Sequence, residues 1–226
     1  MNDIGRPATD ALGDQALVLA SASPRRRELL ARLGLPFVVK SAGIDESLAA
    51  DVPIPDAVAA LAERKARAVA GRIDAGFVLG ADTVVVLGDE VLGKPAGPED
   101  AARMLRRLSG RTHRVVTGVA IVEASSGRGE RSSVVSGVRM RDLSEAAIAA
   151  YVASGEPLDK AGSYAVQGTG GALVAAVEGC FANVVGLPLC ETSELLARFG
   201  FDVSAEQPVC RLPSGAPCPR LGHVAD

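Results

Sequence analysis

The amino-acid sequence predicts an α/β protein. Apolar runs of strand length alternate with segments of helical periodicity from about residue 16 to residue 200. The 226 residues are 48% hydrophobic, which suits a folded protein that buries a substantial core. No repeat or low-complexity segment interrupts the pattern. By length alone we expect one large domain or two small ones.

In the first half of the chain, the predicted elements begin with a buried strand at residues 16–20. Ser23 and Pro24 are typical of a helix N-terminus, with serine as the N-cap and proline in the first turn. Strands are then predicted at residues 37–39 and 77–87, and a helix lies between them from about 56 to 72.

In the second half, residues 97–110 read as a complete helix with a Gly-Pro start and a Ser-Gly end. The β-branched residues of 113–123 and 133–143 predict two paired strands. Ser144 caps the next predicted helix. The remaining predicted elements are a glycine-rich loop at 159–171, a strand at 172–177, a helix from about 188 to 199 and a loose tail at 201–226.

Basic residues gather at the start of the first predicted helix. The first N–H groups of a helix have no partner within it and carry the positive end of its dipole, so phosphate groups bind there. Arg26 also begins the stripe that continues with Leu29, Leu30 and Leu33, and this places its guanidinium on the inner face. Arg25 lies beside it. The alternative is that both arginines are ordinary solvated charges.

Two carboxylates are candidates for chemistry. Asp82 interrupts an apolar, strand-like run, and a buried carboxylate is costly unless it is paired, hydrogen-bonded or bound to a metal. The structural alternative is that Asp82 accepts backbone hydrogen bonds at a β-bulge suggested by Gly80. Glu46 is a candidate second carboxylate, although most acidic pairs in loops are merely solvated.

Further polar residues are candidates for contact with the same ligand. Lys65 falls on the apolar stripe of its helix, where it either extends its stem to the surface or faces a cleft and meets phosphate. Lys94 stands at a predicted turn. Gln167 lies in the glycine-rich loop, where glycines permit close approach to a ligand, or its amide simply binds the loop itself.

Together these residues suggest a polyphosphate site with Mg²⁺, a hard cation commonly shared between few carboxylates and substrate oxygens. The sequence lacks both the P-loop and the dinucleotide-binding glycine patterns. Its four cysteines form no C-x-x-C pair, and its two histidines lie far apart, so a zinc site is not expected. His113, in a basic turn, gives no credible catalytic triad.

The net charge and the composition of the first 15 residues limit the partners and the cellular location that we expect for this protein. The formal net charge of -3 gives no reason to expect nucleic acid or a membrane surface as a partner. The first 15 residues lack the basic-then-apolar order of a signal peptide and read as a flexible extension. Cytoplasmic location is therefore the expectation.

Five separated blocks, in the same order, resemble the Maf (septum-formation inhibitor) family of nucleoside triphosphate pyrophosphatases. The blocks are LASASPRRRELLARLG, GADTVVVLGDEVLGKP, LSGRTHRVVTGVA, YVASGEPLDKAGSYAVQG and NVVGLPLCET. The resemblance covers residues 16–200 as a single domain. It implies an α/β fold like that of inosine-triphosphate pyrophosphatase, with a mixed sheet, flanking helices and a cleft between two lobes.

The resemblance also implies a reaction and roles for residues. The family hydrolyses a nucleoside triphosphate to the monophosphate and pyrophosphate with a divalent cation, Mg²⁺ or Mn²⁺, and is commonly homodimeric. Asp82 would accept the proton, and Glu46 and Asp82 would hold the metal. The substrate-binding residues that it implies are Ser21, Ser23, Arg25, Arg26, Lys65, Thr83, Lys94 and Gln167.

Thr83 and Gln167 resemble the branch that acts on dTTP and UTP, and the resemblance associates Arg25, Thr83 and Gln167 with the choice of base. Physically, an amide and a hydroxyl can read a pyrimidine's carbonyl and imide edge. Two alternatives stay open. One is a pyrophosphatase for modified or purine nucleotides, and the other is a nucleotide-binding regulator of septum formation without catalysis.

Overall fold

The computed structural model describes residues 16–203, so the flexible extension expected at 1–15 and the tail beyond residue 203 lie outside the described residues. The strands are β1 (Leu17–Leu19), β2 (Phe37–Val39), β3 (Phe77–Leu87), β4 (Glu90–Leu92), β5 (Thr112–Glu123), β6 (Gly129–Met140) and β7 (Val174–Glu178). The helices are α1 (Pro24–Ala31), α2 (Ile54–Ala70), α3 (Pro98–Leu108), α4 (Glu145–Ala153), α5 (Phe181–Val185) and α6 (Leu189–Arg198). Three short 3₁₀ segments are Glu156–Asp159, Ala161–Ser163 and Gly168–Leu173.

The strands form one mixed sheet in the order β2-β1-β3-β5-β6-β7, with β4 added to the free side of β3. β1 runs parallel to β2 and β3, whereas every other pair is antiparallel. The predicted α/β class with a mixed sheet and flanking helices is confirmed.

Buried hydrophobic residues form four clusters on the sheet; two smaller ones lie under α2, and two larger ones lie along the length of the sheet. One core joins α1, α5 and α6 to β1 and to the first half of β3. The other joins α3 and α4 to the opposite ends of β5 and β6. The strands β3, β5 and β6 have 11 or 12 residues each and pass through both regions. A cleft opens between these two regions.

Helix α2 lies unusually close to the sheet because two glycines face it. A Cβ on Gly80 would come within 2.1 Å of the Ala62 carbonyl oxygen, and one on Gly118 within 2.4 Å of the Val58 carbonyl oxygen. Asp82 lies directly opposite Gly118 on the neighbouring strand, so its side chain leaves the same face of the sheet. The two glycines thus bring α2 near the Asp82 carboxylate.

Several local predictions need correction. Gly80 marks no bulge: β3 and β5 pair without a break from Phe77 to Val86, and the glycine serves the approach of α2. The strand expected at 133–143 begins earlier, at Gly129, because a tight turn after Glu123 pairs the intervening residues. The short helix α5 was not anticipated.

No helix in the described part of the chain has the length and apolar character needed to cross a bilayer.

Candidate active site

The candidate site lies where β3 has a free edge. β1 pairs with β3 only as far as Leu79, and β4 begins to pair at Val85. Between these points the backbone of β3 faces an open cavity of about 1150 Å³. Side chains from both faces of the strand reach this edge. All ten residues singled out from the sequence line the cavity: Ser21, Ser23, Arg25, Arg26, Glu46, Lys65, Asp82, Thr83, Lys94 and Gln167.

Helix α1 begins at the cavity, as its capping residues predict. The Ser23 hydroxyl accepts a hydrogen bond from the Arg26 backbone N–H at 3.5 Å, and Pro24 occupies the first turn. Serine supplies the partner that the free N–H groups need, and proline lacks one of those donors altogether. The positive end of α1 therefore faces the ligand cavity.

Arg26 is fixed by three hydrogen bonds rather than solvated. Its Nε donates to the Gly186 carbonyl at 2.9 Å, its Nη1 to Ser21 Oγ at 3.1 Å and its Nη2 to Thr83 Oγ1 at 3.0 Å. Burial lowers the pKa of Arg26, and the carboxylates of Asp82 and Glu46 act in the opposite direction. A guanidinium stays protonated in proteins, so a rigid positive charge borders the cavity.

The Thr83 hydroxyl forms hydrogen bonds with both Thr117 and Arg26. Thr117 Oγ1 donates to the Asn183 carbonyl at 3.0 Å, so in the 2.9 Å contact between the two hydroxyls Thr83 is the donor. Thr83 Oγ1 also accepts from Arg26. The structure therefore gives Thr83 a role in holding Arg26, and contact of Thr83 with a base, which the resemblance implies, stays a prediction.

Lys65 joins the two candidate carboxylates. Its Nζ lies 2.6 Å from Asp82 Oδ1 and 2.7 Å from Glu46 Oε1. Lys65 is 6% exposed and Asp82 8% exposed, so the lysine stem does not run to the surface. Each buried charge needs the other, because an unpaired one would pay the full cost of desolvation. The cleft-facing interpretation of Lys65 is confirmed.

Glu46 reaches this pair from the loop that follows β2. Its hydrogen bond with Lys65 lowers the pKa of its carboxyl group; burial opposes that shift, and the charges of Lys65, Lys94 and Arg26 add to it. Lys94 and Arg26 line the same cavity as Glu46 and Asp82. The site therefore brings both candidate carboxylates together with several positive groups.

Arg25 and Gln167 also line the cavity. The Nε of Arg25 is buried and has no hydrogen-bond partner among residues 16–203. A buried donor of this kind is costly unless something binds it, and an anionic ligand would do so. Gln167 is exposed at the cavity and sits on the glycine-rich segment.

Asp82 and Glu46 are the candidate carboxylates that could supply oxygen ligands to a hard divalent cation. Lys65 Nζ occupies the position between Asp82 Oδ1 and Glu46 Oε1, so a cation would have to share these groups with the lysine. Residues 16–203 contain no group of three or more His, Cys, Asp or Glu side chains that could hold a metal ion. A cation here would take its other ligands from a triphosphate and water, as Mg²⁺ commonly does.

Sequence reasoning missed several contributors and misplaced one. Thr117 and Gly186 hold Arg26 in place, and Lys160 lines the cavity. In the sequence, only their position inside the five segments that resemble the Maf family indicated a role for these residues. His113 lies in β5 rather than in a turn, and its Nε2 contacts the Tyr164 hydroxyl at 2.6 Å.

Comparison with known proteins gives consistent matches. The profile of the family described as Maf-like protein matches residues 16–199. A dTTP/UTP pyrophosphatase of Moorella thermoacetica is 58% identical over 187 residues, covering 83% of this chain and 96% of the relative. One from Anaeromyxobacter dehalogenans (strain 2CP-C) is 55% identical, covering 85% of this chain and 98% of the relative. Among solved structures, a nucleoside-triphosphatase / dITP/XTP pyrophosphatase from Mycobacterium abscessus covers 57% of this chain and 76% of its own, at 13% identity and a TM-score of 0.37.

Proposed function

Because this chain belongs to the family of Maf-like proteins, we propose that it hydrolyses dTTP and UTP to the nucleoside monophosphate and pyrophosphate. The relatives that carry this name match more than nine-tenths of their own length. The observation that carries the proposal is the cavity itself, which gathers five basic side chains, a helix N-terminus and four carboxylates, Asp82 and Glu46 among them. That combination suits a triphosphate whose anhydride bond is attacked by water.

The basic groups bind the phosphates. Arg26 is held by three hydrogen bonds, so its guanidinium is preorganised and little entropy is lost when an anion binds. Arg25 offers its buried Nε, and Lys94 adds a mobile positive charge on the other side of Glu46. The positive charges stabilise the pyrophosphate that departs when the bond between the α-phosphorus and the bridging oxygen breaks.

Asp82 accepts a proton from the attacking water. Its carboxylate lies at the free edge of β3, where a water molecule and the α-phosphate both have access. Lys65 fixes the orientation of this carboxylate through the 2.6 Å contact and balances its charge. A positioned general base of this kind contributes about 10²- to 10⁴-fold to the rate.

Glu46 and Asp82 are the residues that would hold a divalent cation, Mg²⁺ or Mn²⁺. When bound, such a cation supplies charge neutralisation to the triphosphate and polarises its oxygens. Lys65 would then exchange part of its contact with the carboxylates for a phosphate oxygen. The protein's own contribution is the convergence of the two carboxylates within reach of one cation.

Gln167 reads the pyrimidine. Its side chain combines a donor and an acceptor, which can pair with the imide N–H and a carbonyl of thymine or uracil. Such a site rejects bases that lack this pattern, since its own groups are then left unpaired.

Cytoplasmic location and homodimeric assembly are further parts of the proposal. Both rest on the sequence rather than on the geometry of the site. Light scattering tests the assembly.

The test measures pyrophosphate release from dTTP, UTP, CTP, ITP and 7-methyl-GTP with Mg²⁺ or Mn²⁺. Asp82→Asn keeps the shape of the side chain but removes the proton acceptor, so we expect a loss of about 10²-fold or more. Asp74→Asn is the matched control, because Asp74 is exposed and lies outside the cavity lining.

Three outcomes decide the proposal. Release from dTTP and UTP that disappears in Asp82→Asn and persists in Asp74→Asn supports the reaction and the role of Asp82. Full activity of Asp82→Asn shows that another group accepts the proton. Release only from ITP or 7-methyl-GTP replaces the substrate class. Loss of release with EDTA tests the dependence on metal.

A further inference from the structure

Two residues that have no role in the proposed reaction bind the glycine-rich segment that carries Gln167. These residues are Tyr151, in the last turn of α4, and Glu156, in the 3₁₀ segment that follows it. Tyr151 is 6% exposed and Glu156 is half-buried. Neither lines the cavity. Tyr151 contacts the backbone before Gln167, and Glu156 contacts the backbone after it.

The contacts form one continuous network. The Ala165 N–H donates to the Tyr151 hydroxyl at 3.1 Å, and that hydroxyl donates to Glu156 Oε1 at 3.0 Å. The same Oε1 accepts from the Gly170 N–H at 3.1 Å. The other oxygen, Oε2, accepts from the Thr169 N–H at 3.2 Å and from the Thr169 hydroxyl. The segment is thus bound two residues before Gln167 and two residues after it.

The glycines of the segment fit this network. Gly168 has a φ of +69°, and a Cβ there would lie 3.2 Å from both Glu156 carboxylate oxygens. A Cβ on Gly170 would lie 2.4 Å from the Tyr151 hydroxyl oxygen. The first position needs a left-handed backbone and the second a close approach, which glycine permits at little cost. The network therefore explains a glycine motif that matches no phosphate-binding loop.

The ionised form of the Glu156 carboxyl group suits the hydrogen-bond donors around it. Burial would raise the pKa of its carboxyl group, but the hydrogen bonds from Thr169, Gly170 and Tyr151 outweigh it and hold the pKa below the usual value. An ionised carboxylate only accepts hydrogen bonds. All four hydrogen bonds that reach Glu156 in this network come from donor groups. Hydrogen bonds to a charged acceptor are among the stronger ones in proteins.

We propose that Tyr151 and Glu156 are positioning residues that set the base specificity of the enzyme by fixing the loop that presents Gln167. The inference rests on the proposed function. An exposed amide on an unrestrained loop would adapt to cytosine as readily as to uracil, because the loop itself could shift until the donor and acceptor of the amide met either base. Holding both flanks fixes the position from which that amide projects, so in the restrained loop the wrong base meets unpaired groups.

The test compares kcat/KM for UTP and CTP in two variants. Glu156→Gln replaces one acceptor oxygen with a donor, and Tyr151→Phe removes the hydroxyl while keeping the ring. We expect the preference for UTP to fall about tenfold in each, mostly through KM for UTP, with kcat at saturation changed by less than about threefold. Glu145→Gln is the matched control, because among residues 16–203 this exposed carboxylate on α4 pairs with Arg106 alone and lies outside the network.

A double-mutant cycle separates positioning from a general structural effect. Gln167→Ala alone should lower the preference for UTP. In the Gln167→Ala background, Glu156→Gln should change it no further, since the loop then presents nothing to be positioned. Thr169→Val removes a single exposed hydroxyl of the network and keeps the test available if either of the larger changes prevents folding.

The outcomes distinguish the inference from the proposed function. A wild-type protein that releases pyrophosphate from neither dTTP nor UTP overturns the proposed function and this inference with it. Wild-type activity on UTP with an unchanged preference in Glu156→Gln, Tyr151→Phe and Thr169→Val overturns the inference alone. Additive effects in the cycle also overturn it, since they show that Glu156 does not act through Gln167.

Discussion

Replacing Gly80 with alanine should separate Lys65 from Asp82 without touching either residue. The new Cβ would lie 2.1 Å from the Ala62 carbonyl oxygen and 2.9 Å from the Ala66 backbone nitrogen, whereas ordinary contact begins near 3.4 Å. Both obstacles are backbone atoms of α2, so no side chain can rotate away. The helix must retreat by about 1 Å, since a close-packed interior offers no free volume.

Such a shift has two separate consequences. Overpacking costs about 1 to 3 kcal/mol, which lowers the melting temperature by roughly 5 °C in a domain of this size. The retreat also stretches the 2.6 Å contact between Lys65 Nζ and Asp82 Oδ1. A displacement of about 1 Å at reacting groups can reduce the rate about 100-fold. We therefore expect a folded protein with a much lower kcat on dTTP.

The assay pairs thermal melting with pyrophosphate release at a temperature where the variant is fully folded. Gly71→Ala is the matched control, because Gly71 ends the same helix with a φ of -66° and its Cβ would meet only the Arg67 carbonyl at 3.6 Å. That change should leave kcat unaltered. A Gly80→Ala protein with wild-type kcat would refute the link between helix spacing and catalysis, whatever its stability.

Two further predictions concern the opposite face of the sheet. Thr117→Val should cost about 1 to 2 kcal/mol of stability and raise KM, because Thr83 loses the partner that orients it toward Arg26; Thr192→Val, which removes an equally buried hydroxyl in α6, should leave KM unchanged in the same kinetic assay. Burial lowers the pKa of His113 from 6.5 to about 4. Because the unfolded chain binds this proton more tightly, the free energy of unfolding should fall as pH drops from 6.5 to 4, by up to about 3 kcal/mol. Chemical denaturation across that range should show a larger decline in wild type than in His113→Phe, where carboxyl groups with lowered pKa such as Glu46 and Glu156 account for the remainder. Equal declines would refute the assignment.

Local signals predicted much of the fold. The caps at Ser23 and Ser144 and the apolar run of β3 placed elements within a few residues of their observed bounds. These signals depend on neighbours along the chain, which the sequence displays directly. The ten candidate residues were likewise found because polar groups interrupted apolar patterns or matched the family blocks, and all ten line one cavity.

Other features depend on contacts between distant segments. Gly80 looked like a bulge because a glycine in a strand has several uses, and only the position of α2 distinguishes them. Thr83 is implied as a base-reading residue by the family resemblance, and nothing local shows that its hydroxyl also contacts Thr117 and Arg26. The roles of Tyr151 and Glu156 were likewise hidden, since their partners lie 14 and 13 residues further along the chain.

By itself, the sequence determined the α/β class, the helix N-terminus at the site and the identity of the charged groups, because capping, periodicity and composition are local properties. The tertiary structure decided which of those charges meet. It places Lys65 between Asp82 and Glu46, leaves an edge of β3 open and ties the Gln167 loop to α4. The physical reason is distance: charge pairing and hydrogen bonding act over a few ångströms in space, whereas the residues concerned are separated by up to dozens of positions along the chain.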